Sequence, residues 1–164
     1  MFDAETTRLA TAVLEACRTR GASVATVESC TGGLVGGALT AIAGSSDVVM
    51  GGLITYSNAA KMALAAVPEA LLVAHGAVSE PVARAMAEGG RSALSATFAV
   101  AITGVAGPGG GSAEKPVGLV HFGCAGPDGT AHREMRFGPL SRDEIRRLSV
   151  LTALDMLREA ASGA

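Results

Sequence analysis

The sequence predicts an α/β fold: one three-layer α/β/α domain built on a mixed β-sheet. Three observations lead there. Short β-branched runs alternate with segments of helical period through the first part of the chain. Residues 97–102 set Phe98, Val100 and Ile102 between alanines, the pattern of a strand buried against close-packed helices. Two further strand-like runs, 117–124 and 130–137, meet across Pro127-Asp128-Gly129, a hairpin signal that makes the sheet mixed.

Residues 4–20 carry Leu9, Val13, Leu14 and Cys17 at helical spacing, and Gly21 stops them. Ser23 to Val27 reads as a strand. It runs through Glu28-Ser29-Cys30-Thr31-Gly32-Gly33 into a small-residue helix to about Ile42, a geometry in which helix N-terminal N–H groups face an anion. Ser29 and Thr31 are also candidate caps for that helix. Gly44-Ser45-Ser46 is a turn, and Val48 to Tyr56 a second strand with a bulge expected at Gly51-Gly52. Asn58 is expected to cap a short helix through Lys61 to about Ala66, and Pro68 to start another that ends near His75-Gly76. Ser79-Glu80-Pro81 opens a helix to about Leu94, with Gly89-Gly90 weakening its end. Thr103 to Ser112 is too glycine-rich for regular structure. Ser141-Arg142-Asp143-Glu144 is a capping box for a last helix with Ile145, Leu148, Leu151, Leu154 and Leu157 inward.

At 164 residues, 49% of them hydrophobic, the chain suffices for one domain with a sizeable core. Its apolar stretches are broken by 22 glycines and none approaches the ~18 residues of a membrane span. The acidic opening Met1-Phe2-Asp3-Ala4-Glu5 argues against a signal peptide. A net charge of -2, scattered arginines and 3% aromatic residues count against a nucleic-acid surface. Cys17, Cys30 and Cys124 are far apart and form no metal or disulfide spelling, so a reduced, cytoplasmic setting without metal or cofactor is expected.

Three polar, glycine-bearing segments follow strands: Ser29 to Gly33, Tyr56 to Lys61, and Thr103 to Ser112. With those strands side by side, the segments converge at one sheet edge, where α/β domains bind ligands. The glycine-rich segment is neither a Walker A loop nor a Rossmann fingerprint, because it leads through Lys115-Pro116 into a strand. Ser112-Ala113-Glu114-Lys115 spells S-x-x-K but, bounded by Gly111 and Pro116, lacks the helix that chemistry needs. Lys61 is more informative. It and Lys115 are the only lysines among 13 basic residues, and it follows the only tyrosine, Tyr56. A partly desolvated lysine can act as a base, as arginine cannot. Ser46, Ser57 and Ser29 are the hydroxyls it could activate, and the Tyr56 phenol could hold or relay a proton.

The words Glu28-Ser29-Cys30-Thr31-Gly32-Gly33, Gly44-Ser45-Ser46, Tyr56-Ser57-Asn58 with Lys61, His75-Gly76-Ala77-Val78-Ser79, Thr103-Gly104 with Ala106-Gly107-Pro108, and Lys115-Pro116-Val117-Gly118 resemble the CinA C-terminal domain family, the nicotinamide mononucleotide deamidases. The likeness runs in order from about residue 5 to 160. It implies metal-independent hydrolysis of nicotinamide mononucleotide to nicotinate mononucleotide and ammonia, in pyridine nucleotide salvage, by a homo-oligomer. Carried over by position, Ser46 is the implied nucleophile, Lys61 its base and Tyr56 an auxiliary hydroxyl. Ser29, Thr31, Gly32, Gly33, Asn58, Thr103 and Gly104 are the implied nucleotide pocket, with Arg142 or Arg146 as its basic residue. The family's usual Asn-Glu-Ala-Lys reads Asn58-Ala59-Ala60-Lys61 here. A rival reading is a nucleotide-binding or interaction module without turnover.

Overall fold

The computed structural model describes residues 1–163. Helix α1 (Ala4–Arg20) starts at Asp3, whose carboxylate accepts from the Thr6 N–H, and ends at Gly21 in the left-handed region. Strand β1 (Val24–Glu28) is buried on both faces. It is followed by α2 (Leu34–Thr40), a 3-10 turn at Ser45–Asp47, and β2 (Val49–Ile54). Next come α3 (Asn58–Ala65), α4 (Glu69–His75), α5 (Glu80–Ala93) and β3 (Phe98–Gly104). The hairpin β4 (Leu119–Gly126) and β5 (Gly129–Arg136) and the long helix α6 (Arg142–Ser162) complete the chain.

The sheet order is β2-β1-β3-β4-β5, with β1 parallel to both β2 and β3 and the rest antiparallel. One core joins α1, α2 and α6 to Val24, Val100, Ile102, Val120 and Phe122 on one face. The other joins α3, α4 and α5 to Val27, Ala101 and Ala125. This is the expected α/β/α sandwich. Because β2, β1 and β3 are parallel neighbours, the segments that follow them emerge at the same edge of the sheet.

Several local expectations are corrected. Ser57, not Asn58, caps α3, its hydroxyl accepting from the Ala60 N–H. The irregularity in β2 falls one residue early: Val24 pairs with Val49 but Ala25 with Gly51, leaving Met50 extra. Gly52 is needed instead for close approach, since a Cβ there would press on Thr26 Oγ1. In α6, Leu148 and Leu151 are only half-buried, while Ser149, Val150, Ala153 and Met156 fill the inner face. Ser141 caps the Glu144 N–H as expected, but the Glu144 carboxylate turns to Arg147, so the capping box is half made.

Helix α5 runs on through Gly89 and Gly90, which let it be packed upon. A Cβ at Gly89 would overlap the Ala65 carbonyl at the end of α3, and one at Gly90 would overlap Val27. Gly89→Ala should therefore destabilise the chain by about 2 kcal/mol or more through overpacking, read as a lower urea midpoint. Because α3 carries Lys61, the same variant should lose activity before it unfolds; unchanged stability would contradict this packing.

On the hairpin, His121 Nδ1 and His132 Nε2 stand 2.9 Å apart, and the rings are stacked. Burial, above all, holds the His121 pKa below its ordinary 6.5; Glu134 opposes this, His132 reinforces it, Glu80 opposes it and Lys115 reinforces it. A folded histidine that resists protonation contributes stability above pH ~6.5 and loses it as pH falls below that value. The melting temperature should thus decline below pH ~6.5, and less steeply in His121→Phe; identical slopes would remove His121 as the cause.

Candidate active site

The chain passes from β1 into the turn at Ser29, whose N–H donates to Ile102 O of β3 at 3.0 Å. The Ser29 side chain is thereby held at the junction of the three parallel strands, 8% exposed. Lys61, one turn into α3 and 1% exposed, reaches back under it. Its Nζ lies 3.1 Å from Ser29 Oγ, 2.8 Å from Thr55 O and 3.3 Å from Tyr56 O. Among the described residues no carboxylate pairs with it. Burial pushes the Lys61 pKa below the ordinary 10.5, partly countered by Cys30.

Nζ donates to all three partners, and the set also accommodates the neutral amine. Thr55 O and Tyr56 O can only accept, which uses the two N–H bonds of an uncharged –NH₂. Ser29 Oγ carries a hydroxyl proton that can be given to the remaining lone pair. The cluster is a buried Ser–Lys pair in hydrogen-bond contact.

Ser46 is not part of it. It sits exposed on the 3-10 turn before β2, whereas Thr55, Tyr56 and Lys61 follow that strand. Six residues of strand separate the two ends by about 20 Å. Within one chain Ser46 therefore cannot touch Lys61, and the pairing expected for it is replaced by Ser29–Lys61.

The other expected residues divide into two groups. At the mouth, Tyr56 is exposed and its phenol oxygen accepts from Arg142 Nη2 at 3.2 Å, while Arg142 Nη1 donates to Gly107 O at 2.8 Å. Arg142 thus ties α6 to both the Tyr56 segment and the glycine-rich loop, whose other side is held by Lys115 Nζ on His75 O. Arg146 lies deeper, donating to Cys30 O and Thr31 O. Neither arginine has a carboxylate partner among the described residues.

The second group serves the frame. Thr31 is wholly buried and donates to Glu28 Oε2 at 2.6 Å. Gly32 and Gly33 take left-handed φ values of 58° and 102°, which make the turn. Thr103 donates to Ala77 O at 2.9 Å, and Gly104 lets β3 lie tight against Val120. Asn58 is exposed at the start of α3, as is Ala59 beside it.

Residue reading missed Glu28. Buried to 1% exposure, its carboxylate accepts from Thr31 Oγ1 and from the N–H groups of Gly33, Val35 and Gly36. The N-terminus of α2, expected to face a substrate anion, is filled by the chain's own carboxylate. A glutamate directly before a Ser/Thr-Gly-Gly turn and a helix was the available signal.

The described residues include no cluster of His, Cys, Asp or Glu that could hold a metal ion, and no helix long and apolar enough to cross a membrane. Burial pushes the Cys30 thiol up to about 12, so it is no nucleophile at neutral pH.

The fold, a mixed sheet covered by helices on both faces, is shared with known proteins. The CinA C-terminal domain family matches residues 6–161, and the chain belongs to that family. A CinA-like protein of Synechococcus sp. (strain RCC307) is 58% identical over 158 residues, 96% of this chain and 38% of that protein. One from Parasynechococcus marenigrum (strain WH8102) is 52% identical, covering 92% of this chain and 36% of the relative. The chain therefore spans well under half the length of these relatives. Among solved structures, the competence/damage inducible protein CihA of Agrobacterium tumefaciens has a TM-score of 0.94 at 50% identity over 96% of each chain. A CinA superfamily protein of Klebsiella pneumoniae 700603 gives 0.91 at 33% identity, over 97% of this chain and 99% of that one.

Proposed function

We propose that this chain is an amidohydrolase that converts nicotinamide mononucleotide to nicotinate mononucleotide and ammonia, using Ser29 as nucleophile and Lys61 as base. The observation that carries the reading is the buried Lys61 amine between two carbonyls and one hydroxyl.

Ser29 Oγ attacks the carboxamide carbon as its proton passes to Lys61 Nζ. The carbonyl oxygen becomes an oxyanion, met by the N–H groups of Cys30 and Thr31 on the turn that follows the nucleophile. Collapse expels ammonia, which takes the proton back from Lys61 and leaves an acyl ester on Ser29. Water, giving a proton to the same amine, attacks the ester; the acyl–oxygen bond breaks, Lys61 returns the proton to Ser29 Oγ, and the acid leaves as its carboxylate with loss of its own proton to solvent. For the phosphate, Arg142 is the better candidate: both arginines contact only neutral oxygens, but Arg142 is exposed beside Tyr56, whereas Arg146 is half-buried behind the turn. Tyr56 holds Arg142 in place and borders the substrate.

The enzyme is read as a cytoplasmic homo-oligomer. Three buried free cysteines fit a reduced compartment. Exposed Met50, Ile54 and Tyr56 on and just beyond the edge strand β2 offer apolar area to a second copy.

Purified protein incubated with nicotinamide mononucleotide should release ammonia and nicotinate mononucleotide in equal amounts. Tight nucleotide binding with no ammonia would instead favour the binding-module reading, and turnover of other small amides alone would move the substrate.

A further inference from the structure

We infer that Glu28 is a positioning residue for the Ser29–Lys61 pair, acting through the turn that carries the nucleophile; this rests on Ser29 being that nucleophile. Glu28 ends β1 and immediately precedes Ser29. Its Oε2 accepts from Thr31 Oγ1 at 2.6 Å, Gly33 N at 3.0 Å and Val35 N at 3.1 Å, and Oε1 accepts from Gly36 N at 2.8 Å. Its backbone carbonyl takes the Thr55 N–H of the neighbouring strand at 2.8 Å.

One side chain thus closes a loop of contacts around Ser29: strand β1 before it, the Thr31-to-Gly33 turn after it, and the first turn of α2 beyond. The Thr55 segment tied to its backbone is also the one whose carbonyl holds Lys61 Nζ. Glu28 touches neither reacting atom; its side chain holds the turn on the Ser29 side of their 3.1 Å contact, while its backbone carbonyl holds the Thr55 segment on the Lys61 side. All four contacts are made to the carboxylate oxygens as acceptors, three of them from backbone N–H groups that can only donate. Glutamine keeps the shape but turns an NH₂ toward N–H groups. A Cβ on Gly36 would crowd Thr26 Oγ1 at 3.3 Å but meet Glu28 Oε1 only at an ordinary 3.5 Å contact.

The test compares wild type, Glu28→Gln, Glu28→Asp and Thr31→Val, measuring kcat and KM for ammonia release and amide hydrogen exchange at Gly33, Val35 and Gly36. Misplacement of a nucleophile by about 1 Å costs on the order of 100-fold in rate. Glu28→Gln should lose about that much kcat with KM within about threefold, and exchange should quicken at those amides while β3 and β4 stay protected. Thr31→Val, which removes one of the four donors, should fall between, and Glu28→Asp, which keeps the charge, should recover part of kcat. A Glu28→Gln variant with wild-type kcat overturns the inference, as does a parallel loss of protection in β3 and β4. Should wild type release no ammonia, the proposed reaction fails separately. Exchange then decides for Glu28, and unchanged protection at the three amides overturns its role.

Discussion

Replacing Lys61 by arginine should lower kcat by roughly 10³-fold or more, the range expected for loss of a positioned base. Arginine keeps a positive charge and hydrogen-bond donors but cannot give up its proton in this range. The pH dependence gives a sharper reading than the loss itself. Burial lowers the Lys61 pKa from 10.5, and in the proposed mechanism the active species is the neutral amine. Wild-type kcat/KM should therefore rise with pH through an ionisation below 10.5, as the proton is lost from Lys61. In Lys61→Arg the residual rate should lack that limb. Lys61→Met removes the charge and most of the bulk difference at once, and should be as inactive. Near-normal turnover by Lys61→Arg, or the same limb in it, would falsify the assignment.

Ser29→Ala should cost even more, roughly 10⁴-fold or beyond, because loss of the nucleophile leaves only binding and oxyanion stabilisation. Ser29 is small and held through its main-chain N–H on Ile102 O, so the variant should fold with little change in melting temperature. Ser46→Ala should cost far less, since Ser46 is exposed at the opposite end of β2. An acyl intermediate trapped during turnover should map to Ser29. Equal losses in the two alanine variants, with the acyl group on Ser46, would restore Ser46 as nucleophile, delivered by a second copy of the chain.

The difference between the two serines shows where sequence reasoning stopped. Lys61 stood out by its chemistry and rarity, and its place one turn past a strand foretold its burial. Its partner was undetermined because Ser29, Ser46 and Ser57 all lie near strand ends, and only strand direction says which end. The resemblance to the family pointed to Ser46. Geometry within the chain gives Lys61 to Ser29, and Ser57 is spent capping α3. Glu28 escaped notice for a related reason: its role depends on three backbone N–H groups that meet only once α2 has formed.

The sequence by itself determined the α/β/α class, the hairpin, nearly every helix and strand to within a few residues, and the three segments that line one edge. Apolar periodicity and turn residues act locally, so they are legible without the fold. The tertiary structure was needed to show which hydroxyl lies against Lys61, that Arg142 is the more exposed of the two arginines and reaches Tyr56, and that the chain's own Glu28 fills the helix N-terminus expected to face a substrate anion. Those outcomes depend on strand order and on contacts between residues far apart in the chain. The physical reason is that hydrogen-bond partners are chosen by distance and direction in space, which residue spacing does not encode.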